Sequence, residues 1–281
     1  MRTISHRHTN PAHQSVMPEA QTGPRLHRGN SNTDLVDAET ALPDTVENTA
    51  AESLLANPIW NSLRTDHRAL AVGTGRARRY PTEVGPLSGI PDQSEESFDD
   101  LRSLTGPGGV LALFFPEPLP PPPEGWTLLR HAPLSQMIWR GPKPQNPLSP
   151  SGVNLRQLSA ADVPEMLALA ELTEPGPFRQ RTIELGTFYG VFDAGRLVAM
   201  AGQRMRMPGF IEVSAVCTHP DARGRGLART LSTTVMHDIF EQQRTPFLHV
   251  LPENYSAIRI YENLGFELSR TFHFAVLKKN A

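Results

Sequence analysis

Residues 215–231 read AVCTHPDARGRGLARTL and place glycines and arginines where an apolar run passes into a helical pattern. The first amides of a helix have no backbone partner, and the positive end of the helix dipole lies behind them. Glycine lets the backbone approach a bulky anion, and Arg223, Arg225 and Arg229 add charged donors at its rim. This turn therefore predicts an anion site, for which a pyrophosphate is the natural ligand.

Two well-known phosphate motifs are absent from the turn. The sequence contains neither the Walker pattern G-x-x-x-x-G-K-[ST] nor the dinucleotide fingerprint G-x-G-x-x-G. The pattern present is Arg-x-x-Gly-x-Ala, at Arg223, Gly226 and Ala228. The site is therefore expected to serve a phosphate ligand other than those of the two excluded classes.

The elements around the turn must hold it in place. The apolar run 210–219 predicts a strand, and apolar residues every fourth position after the turn predict a helix with one buried stripe. From residue 153 onward the pattern predicts the order β-α-α-β-β-β-α-β-α-β. The fold class is therefore α/β, a mixed sheet covered by helices. The predicted elements span 153–159, 159–172, 179–186, a hairpin over 187–205, 210–219, the helix after the turn, 246–251, 256–265 and 266–279.

The rest of the chain divides by composition. Residues 1–52 lack aromatics and are expected to be a disordered tail, since they cannot bury enough apolar surface. Residues 53–141 predict a smaller α+β domain, with strands at 68–73, 76–80, 110–115 and 126–141 and a helix at 94–106. The proline-rich segment 142–152 predicts a linker to the domain 153–281.

The second domain resembles the GNAT superfamily of acetyl-CoA-dependent N-acetyltransferases. Its turn matches the family signature [Q/R]-x-x-G-x-[G/A] after the fourth core strand, and NYSAIRIYENLGFE (254–267) resembles the family's later motif. The resemblance covers residues 153–281. Residues 53–141 lack the signature turn and are interpreted either as a degenerate second copy of the fold or as an unrelated cap.

The resemblance implies a role for each site residue. The backbone of Val216, Cys217 and Thr218 would pair with the pantetheine arm of CoA and with the acetyl carbonyl, where two strands splay apart. Asn254 would contact the pantetheine or simply cap the next helix. The CoA pyrophosphate would lie on the amides of Arg223, Gly224, Arg225, Gly226, Leu227 and Ala228, with Arg229 nearby.

Two catalytic residues follow from the same resemblance. Glu212 would be the general base, or only a charge on a half-buried strand, and Tyr261 would be the general acid, or only a packed aromatic. An alkyl amine has a pKa of about 10.4 and must lose a proton, which a carboxylate can accept if burial raises its pKa. The leaving thiolate, with a pKa of about 8.5, can take a proton from a tyrosine. The loop 174–178 lies where the family has an acceptor-binding loop.

The composition of the chain argues against several classes of function. A formal net charge of −2 argues against nucleic-acid or membrane binding by the whole protein, and one cysteine excludes an internal disulfide framework. No apolar run is long enough to span a membrane, so a cytoplasmic location is expected. The basic first eighteen residues are a solvated tail, a transit peptide or a leader upstream of a start at Met17. His6, His8 and His13 are not expected to hold a metal.

These observations predict transfer of an acetyl group from acetyl-CoA to a primary amine by direct attack, without a metal. A CoA-binding sensor or scaffold without transfer activity is the alternative, and transfer of a longer acyl group is a third interpretation. The sequence leaves the amine acceptor and the oligomeric state open.

Overall fold

A computed structural model describes residues 52–119, 121–143 and 154–281. The expected disorder of the tail lies outside these residues except at Glu52, and so does the predicted linker from residue 144 to its end. The described residues form five α-helices and ten strands. The helices are α1 (Pro58–Arg64), α2 (Glu95–Ser103), α3 (Val163–Thr173), α4 (Leu227–Glu241) and α5 (Tyr255–Glu262). The strands are β1 (Arg78–Arg79), β2 (Ser88–Gly89), β3 (Val110–Phe115), β4 (Trp126–Trp139), β5 (Asn154–Gln157), β6 (Phe188–Asp193), β7 (Arg196–Met207), β8 (Phe210–Thr218), β9 (Thr245–Val250) and β10 (Phe266–Lys279).

The predicted mixed sheet is confirmed. Eight strands pair in the order β3-β10-β4-β9-β8-β7-β6-β5. Only β8 and β9 run parallel, because α4 carries the chain back across the sheet between them. The other pairs are antiparallel, including the hairpin β6–β7, which turns at Ala194 and Gly195 with positive φ at both.

The sheet joins the two segments that the sequence predicts as separate domains. Strand β4 comes from the first segment, yet it lies between β10 and β9 of the second. It pairs with β10 along its full length and with β9 over residues 135–138. The described residues from Glu52 onward belong to one compact unit. The division at 53–141 and 153–281 is therefore not seen in the structure, because pairing partners so distant in sequence leave no local signal.

Several local predictions in the first segment also need correction. The predicted strand 68–73 is a 3₁₀ helix at Arg68–Leu70 followed by a single bridge from Val72 to Arg79. The predicted helix at 94–106 is confirmed as α2, with the Ser94 side chain accepting a bond from the Ser97 amide. The 126–141 pattern forms one long strand, and Pro133 lies outside residues 135–138, the part of it that pairs with β9.

Each face of the sheet has its own cover. Helices α4 and α5 pack on one face, the helix face, where Ile211 and Val213 contact the apolar stripe of α4. The first segment covers the other, the segment face, where Phe210 and Phe247 pack against Leu55. Helix α3 also packs on the segment face, beside Cys217. Alternation along β8 therefore buries both faces.

The central position of β4 predicts that the second segment cannot fold alone. A chain cut to residues 154–281 would leave β9 and β10 without the strand between them and expose the apolar surface that Met137 and Ile138 bury. We expect no cooperative thermal transition by circular dichroism for this fragment. A chain of residues 52–281 is the control and should melt cooperatively. A folded 154–281 fragment would contradict the one-sheet description.

Candidate functional site

The site is built where strands β8 and β9 separate. Their parallel pairing covers only Phe210–Glu212 against Thr245–Phe247. Beyond that point β9 pairs with β4 and β8 pairs with β7, so the two strands diverge. The edge of residues 213–218 that faces β9 therefore keeps its backbone donors and acceptors available to a ligand.

A bulge in β8 marks the start of this open edge. Register with β7 runs from Ser214 opposite Gly202 to Cys217 opposite Met200, so β8 carries one extra residue there. Ala215 takes up the distortion with φ of 52°. As a result Ala215 and Cys217 both pack on the segment face, whereas Val216 packs on the helix face. An unbroken alternation would place Val216 on the same face as Glu212. Because of the bulge, Val216 lies on the opposite face instead.

The glycine-rich turn ends at an uncapped helix. Gly224 and Gly226 have φ of 77° and 75°, and among the residues that the structure describes no side chain caps α4. The first helical bond runs from the Thr230 amide to the Gly226 carbonyl at 3.0 Å. Within the described part of the chain, the amides of residues 224–229 donate to no backbone carbonyl. They are free to bind an anion at the positive end of a 15-residue helix.

The arginines of the turn are exposed around these amides. Arg225 is paired with Asp193 at 2.6 Å, and Arg223 Nε lies 3.4 Å from the Thr218 carbonyl oxygen. Arg229 is exposed in the first turn of α4. They line the mouth of the anion site rather than its floor, which the backbone forms.

Tyr261 lies on α5 beside the open edge. Its ring packs edge-on to Phe266, and the side chain is buried in the cluster of the helix face. Burial raises the pKa of Tyr261 to about 12, and the Cys217 thiol, where it ionises, adds to the rise. Burial raises the pKa of Cys217 to about 11. At neutral pH both groups therefore keep their protons, and the Tyr261 hydroxyl has a proton to donate.

Asn254 is seen as a helix cap. Its side-chain oxygen accepts from the Ala257 amide at 3.2 Å and from the Ser256 hydroxyl at 3.0 Å. This is the plain interpretation of the residue, and it explains where α5 begins. A contact between Asn254 and the pantetheine arm stays a prediction.

Glu212 has an environment that differs from the expected one. The carboxylate is fully buried and accepts from Arg204 Nε at 2.7 Å, from Arg204 Nη2 at 2.6 Å and from His249 Nδ1 at 2.8 Å. Burial alone would raise its pKa, but the Arg204 charge and these hydrogen bonds lower the pKa to about 2. The expectation of a base with a raised pKa is therefore wrong for Glu212.

Glu212 belongs to a row of buried polar groups across four strands. Because a carboxylate only accepts, His249 must donate from Nδ1, and its Nε2 then accepts from Gln136 Nε2 at 3.2 Å. Burial lowers the pKa of His249 more than Glu212 raises it, so the imidazole is neutral. Gln136 also donates to the Leu55 carbonyl at 3.2 Å. The first segment is thus tied to β8 and β9 through hydrogen bonds.

Arg204, Gln136 and His249 belong to none of the sequence motifs described above. Each is followed directly in its strand by a buried apolar residue, Met205, Met137 or Val250, and this was the available signal, because a polar residue in a buried strand must have a partner. The signal marks the positions but does not reveal that they meet one another.

A cleft opens on the segment face beside the bulge. It is lined by the loop 174–178, by Phe188 and Thr182, and by residues of β7 and β8. The residues that line it are Pro175, Gly176, Pro177, Phe178, Thr182, Phe188, Arg204, Ser214 and Ala215. The predicted acceptor loop therefore lies next to the open edge of β8.

The first segment holds the residues that follow the loop 174–178 through hydrogen bonds. The Thr182 hydroxyl donates to the Val84 carbonyl at 2.8 Å, and the Arg181 amide donates to the Glu83 carbonyl at 2.9 Å. Phe178 packs edge-on to Phe188, with ring centroids 5.8 Å apart. These contacts give the wall of the cleft a defined position relative to β8.

Within residues 52–119, 121–143 and 154–281, no helix has the length and apolar character needed to cross a membrane. Over the same ranges, no three side chains of His, Cys, Asp or Glu come together as a metal site would require.

Comparisons with known proteins agree with this geometry. The profile of the family described as FR47-like protein matches residues 188–275. A crystal structure from Novosphingobium aromaticivorans, of a protein described as an acetyltransferase from the GNAT family, is 43% identical. It aligns over 81% of this chain and 99% of that chain with a TM-score of 0.74. A GCN5-related N-acetyltransferase from Kribbella flavida shares the fold at 19% identity, over 83% of this chain and 95% of that chain, with a TM-score of 0.50.

A curated relative matches only part of the chain. Mycothiol acetyltransferase from Mycobacterium sp. (strain JLS) is 36% identical over 90 residues, which make up 30% of each chain. The chain thus spans less than a third of the length of that relative.

Breaking the buried ion pair of Arg204 and Glu212 should cause a large loss of stability. Replacing Glu212 with Ala leaves the Arg204 charge buried without its partner, which costs about 3–5 kcal/mol of unfolding free energy. The surface pair of Arg225 and Asp193 is the control, and Asp193→Ala should cost less than about 1 kcal/mol. Urea unfolding at pH 7 measures both. Equal losses would show that the buried pair has no special weight.

The same pair sets a pH dependence of stability. The folded-state pKa of Glu212 lies below its ordinary value of 4.5, so its contribution is complete above pH 4.5. That contribution should decline as the pH falls from about 4.5 toward about 2, and the decline should be absent in Glu212→Gln.

Proposed function

Because this chain belongs to the GNAT family of acetyltransferases, we propose that it transfers an acetyl group from acetyl-CoA to a primary amine by direct attack. The observation that carries the proposal is the continuity of two free backbone surfaces. The open edge of β8 leads, through the turn at Arg223, to the uncapped amides of α4. An extended arm that ends in a pyrophosphate matches such a path.

The binding roles follow from this path. The amides of residues 224–229 would hold the pyrophosphate, and Arg223, Arg225 and Arg229 would balance its charge at the rim. The backbone of residues 216–218 would pair with the pantetheine arm as an added strand does. One of these strand amides, near Val216, would donate to the acetyl oxygen as it gains negative charge.

Tyr261 is proposed as the general acid. When the amine attacks the thioester carbonyl, the C–N bond forms and the C–S bond breaks, and the departing sulfur takes up a proton. A hydroxyl with a pKa of about 12 keeps its proton at neutral pH, and Tyr261 belongs to the apolar cluster of the helix face, against which Val216 of the open edge also packs. No covalent enzyme intermediate is needed, so Cys217 has no chemical role in the proposal.

Glu212 receives a different role from the one the sequence suggested. A buried carboxylate with a pKa of about 2 is a poor acceptor for the proton of an amine. We assign Glu212 as a positioning residue that holds Arg204 at the wall of the cleft. Deprotonation of the amine is then left to water at the open mouth of the cleft.

Membership of the family does not assign the acceptor of the curated relatives to this chain. The match to mycothiol acetyltransferase covers 30% of that protein, and it supports acetyl transfer rather than a shared acceptor. A sensor that binds CoA without transfer is the alternative, and it differs from the enzyme by the lack of thiol release with any amine. A cytoplasmic location stays a prediction.

CoA binding should be lost when the anion site is blocked. Gly226→Glu adds a carboxylate and a strained φ where the pyrophosphate would lie, so we expect at least a tenfold weaker Kd for acetyl-CoA by calorimetry. Gly209→Glu is the matched control, because Gly209 also has positive φ, 83°, and open space around it, but lies in the β7–β8 turn. Equal binding by both variants would exclude the turn as the CoA site.

The acid role of Tyr261 predicts a loss of rate without a loss of binding. Tyr261→Phe removes only the hydroxyl, so kcat should fall by about 10²-fold or more while the Kd for acetyl-CoA changes little. Tyr255→Phe is the control on the same helix, since that side chain is 73% exposed. Thiol release measures both rates, and full activity in Tyr261→Phe would contradict the assignment.

A further inference from the structure

We propose that Arg204 binds a carboxylate of the acceptor, so that the acceptor is an amino carboxylate with an apolar side group. This inference rests on the proposed acetyl transfer and adds the chemical class of the second substrate. It begins from the residues lining the cleft beside the bulge. Arg204 is the charged one, and the others are proline, glycine, phenylalanine, threonine, serine and alanine, within the part of the chain that the structure describes.

Glu212 uses only some of the N–H donors of the Arg204 guanidinium. Glu212 occupies one edge of it, through Nε and Nη2. The other edge consists of Nη1 and the second hydrogen of Nη2, a fork that matches the two oxygens of a carboxylate. Across residues 52–119, 121–143 and 154–281, no side chain or carbonyl is found hydrogen-bonded to Nη1. A guanidinium keeps its charge at any physiological pH, so the fork is permanent.

The orientation of this fork is held by buried groups. Glu212 is fully buried, and its oxygens also accept from His249 Nδ1 at 2.8 Å and from the Met205 amide at 3.3 Å. The Arg204 side chain itself is 13% exposed, and Arg204 lines the cleft. A charged side chain held this tightly loses little conformational freedom when it binds a ligand.

The location of Arg204 relates the carboxylate to the reacting amine. The cleft is also lined by Ser214 and Ala215, the residues at which β8 bulges and its free edge begins. A small molecule held by Arg204 would therefore place an amine a few bonds away next to that edge. Phe178 and Phe188 form an apolar wall on the same cleft, which suits an aliphatic or aromatic side group.

The charge of Glu212 beside Arg204 limits how strongly the cleft is expected to prefer a carboxylate. Glu212 already neutralises Arg204, and the neutral His249 adds no charge. A bound carboxylate therefore gains from two directed hydrogen bonds rather than from a free cation. We expect a preference of about tenfold for a carboxylate over a carboxamide or a hydrogen at that position.

The first test uses the unaltered full chain and matched acceptors. L-Leucine, L-leucinamide and isopentylamine share a primary amine and the same apolar group, and they carry a carboxylate, a carboxamide and a hydrogen at the tested position. Thiol release from acetyl-CoA should give kcat/KM about tenfold higher for leucine than for either analogue. The same series built on alanine and phenylalanine covers other side groups. Equal kcat/KM for leucine and isopentylamine would overturn the proposal, and equal values for leucine and leucinamide would assign a neutral carbonyl instead.

A binding measurement separates this inference from the proposed transfer. In the presence of CoA, 4-methylpentanoate should bind at least about tenfold more tightly than 4-methylpentanamide by calorimetry, whether or not any amine is acetylated. Thiol release without this preference would overturn only the carboxylate site. The binding preference without thiol release from any amine would support the site and overturn the acetyl transfer.

A variant pair tests Arg204 directly. Arg204→Lys keeps a cation beside Glu212 but lacks the second fork, so the KM for leucine should rise about tenfold with a smaller change in kcat, and the preference over isopentylamine should disappear. Arg181→Lys is the control, because Arg181 lies close in sequence to the cleft residue Thr182 and pairs with Glu184 on the surface. If Arg204→Lys retains the wild-type preference for leucine, Arg204 is not the carboxylate ligand.

Discussion

The separation of β8 from β9 is the constraint on which the rest of the structure depends. A central strand that loses its neighbour leaves buried backbone groups without partners unless a ligand supplies them. Only three residues of β8, Phe210–Glu212, are paired with β9, and the strand then runs on for six more. The bulge at Ala215, the turn at Gly224 and the uncapped start of α4 all lie along the continuation of this free edge.

The first segment is part of the same construction. Strand β4 holds β9 on the side away from β8, so β9 cannot close the gap by shifting as an edge strand could. From the same segment, Gln136 and the Leu55 carbonyl complete the row of hydrogen bonds that begins at Arg204. The segment also supports the loop that lines the cleft, through Val84 and Glu83. Its contribution is therefore to the geometry of the site rather than to a second site.

Sequence patterns predicted the features that depend on neighbouring residues and missed those that depend on residues far apart in the sequence. The turn at Gly226, the stripe of α4, the hairpin 187–205 and the helix at 94–106 depend on neighbouring residues, and all are present. The position of β4 depends on pairing across more than a hundred residues, which leaves no periodicity to detect. The environment of Glu212 was missed for the same reason, since its pKa is set by Arg204 and His249 on other strands.

The insertion of β4 also bears on how the chain is made. His131 on β4 and His273 on β10 stack face to face although they are 142 positions apart. During synthesis from the N-terminus, β3 and β4 emerge long before β10, the strand that both must pair with. The apolar strands β3 and β4 would therefore lack the partner they share until β10 has been synthesised. Such non-local contacts are typical of slow folding. Strand β10 is thus the one that joins β3 to the rest of the sheet.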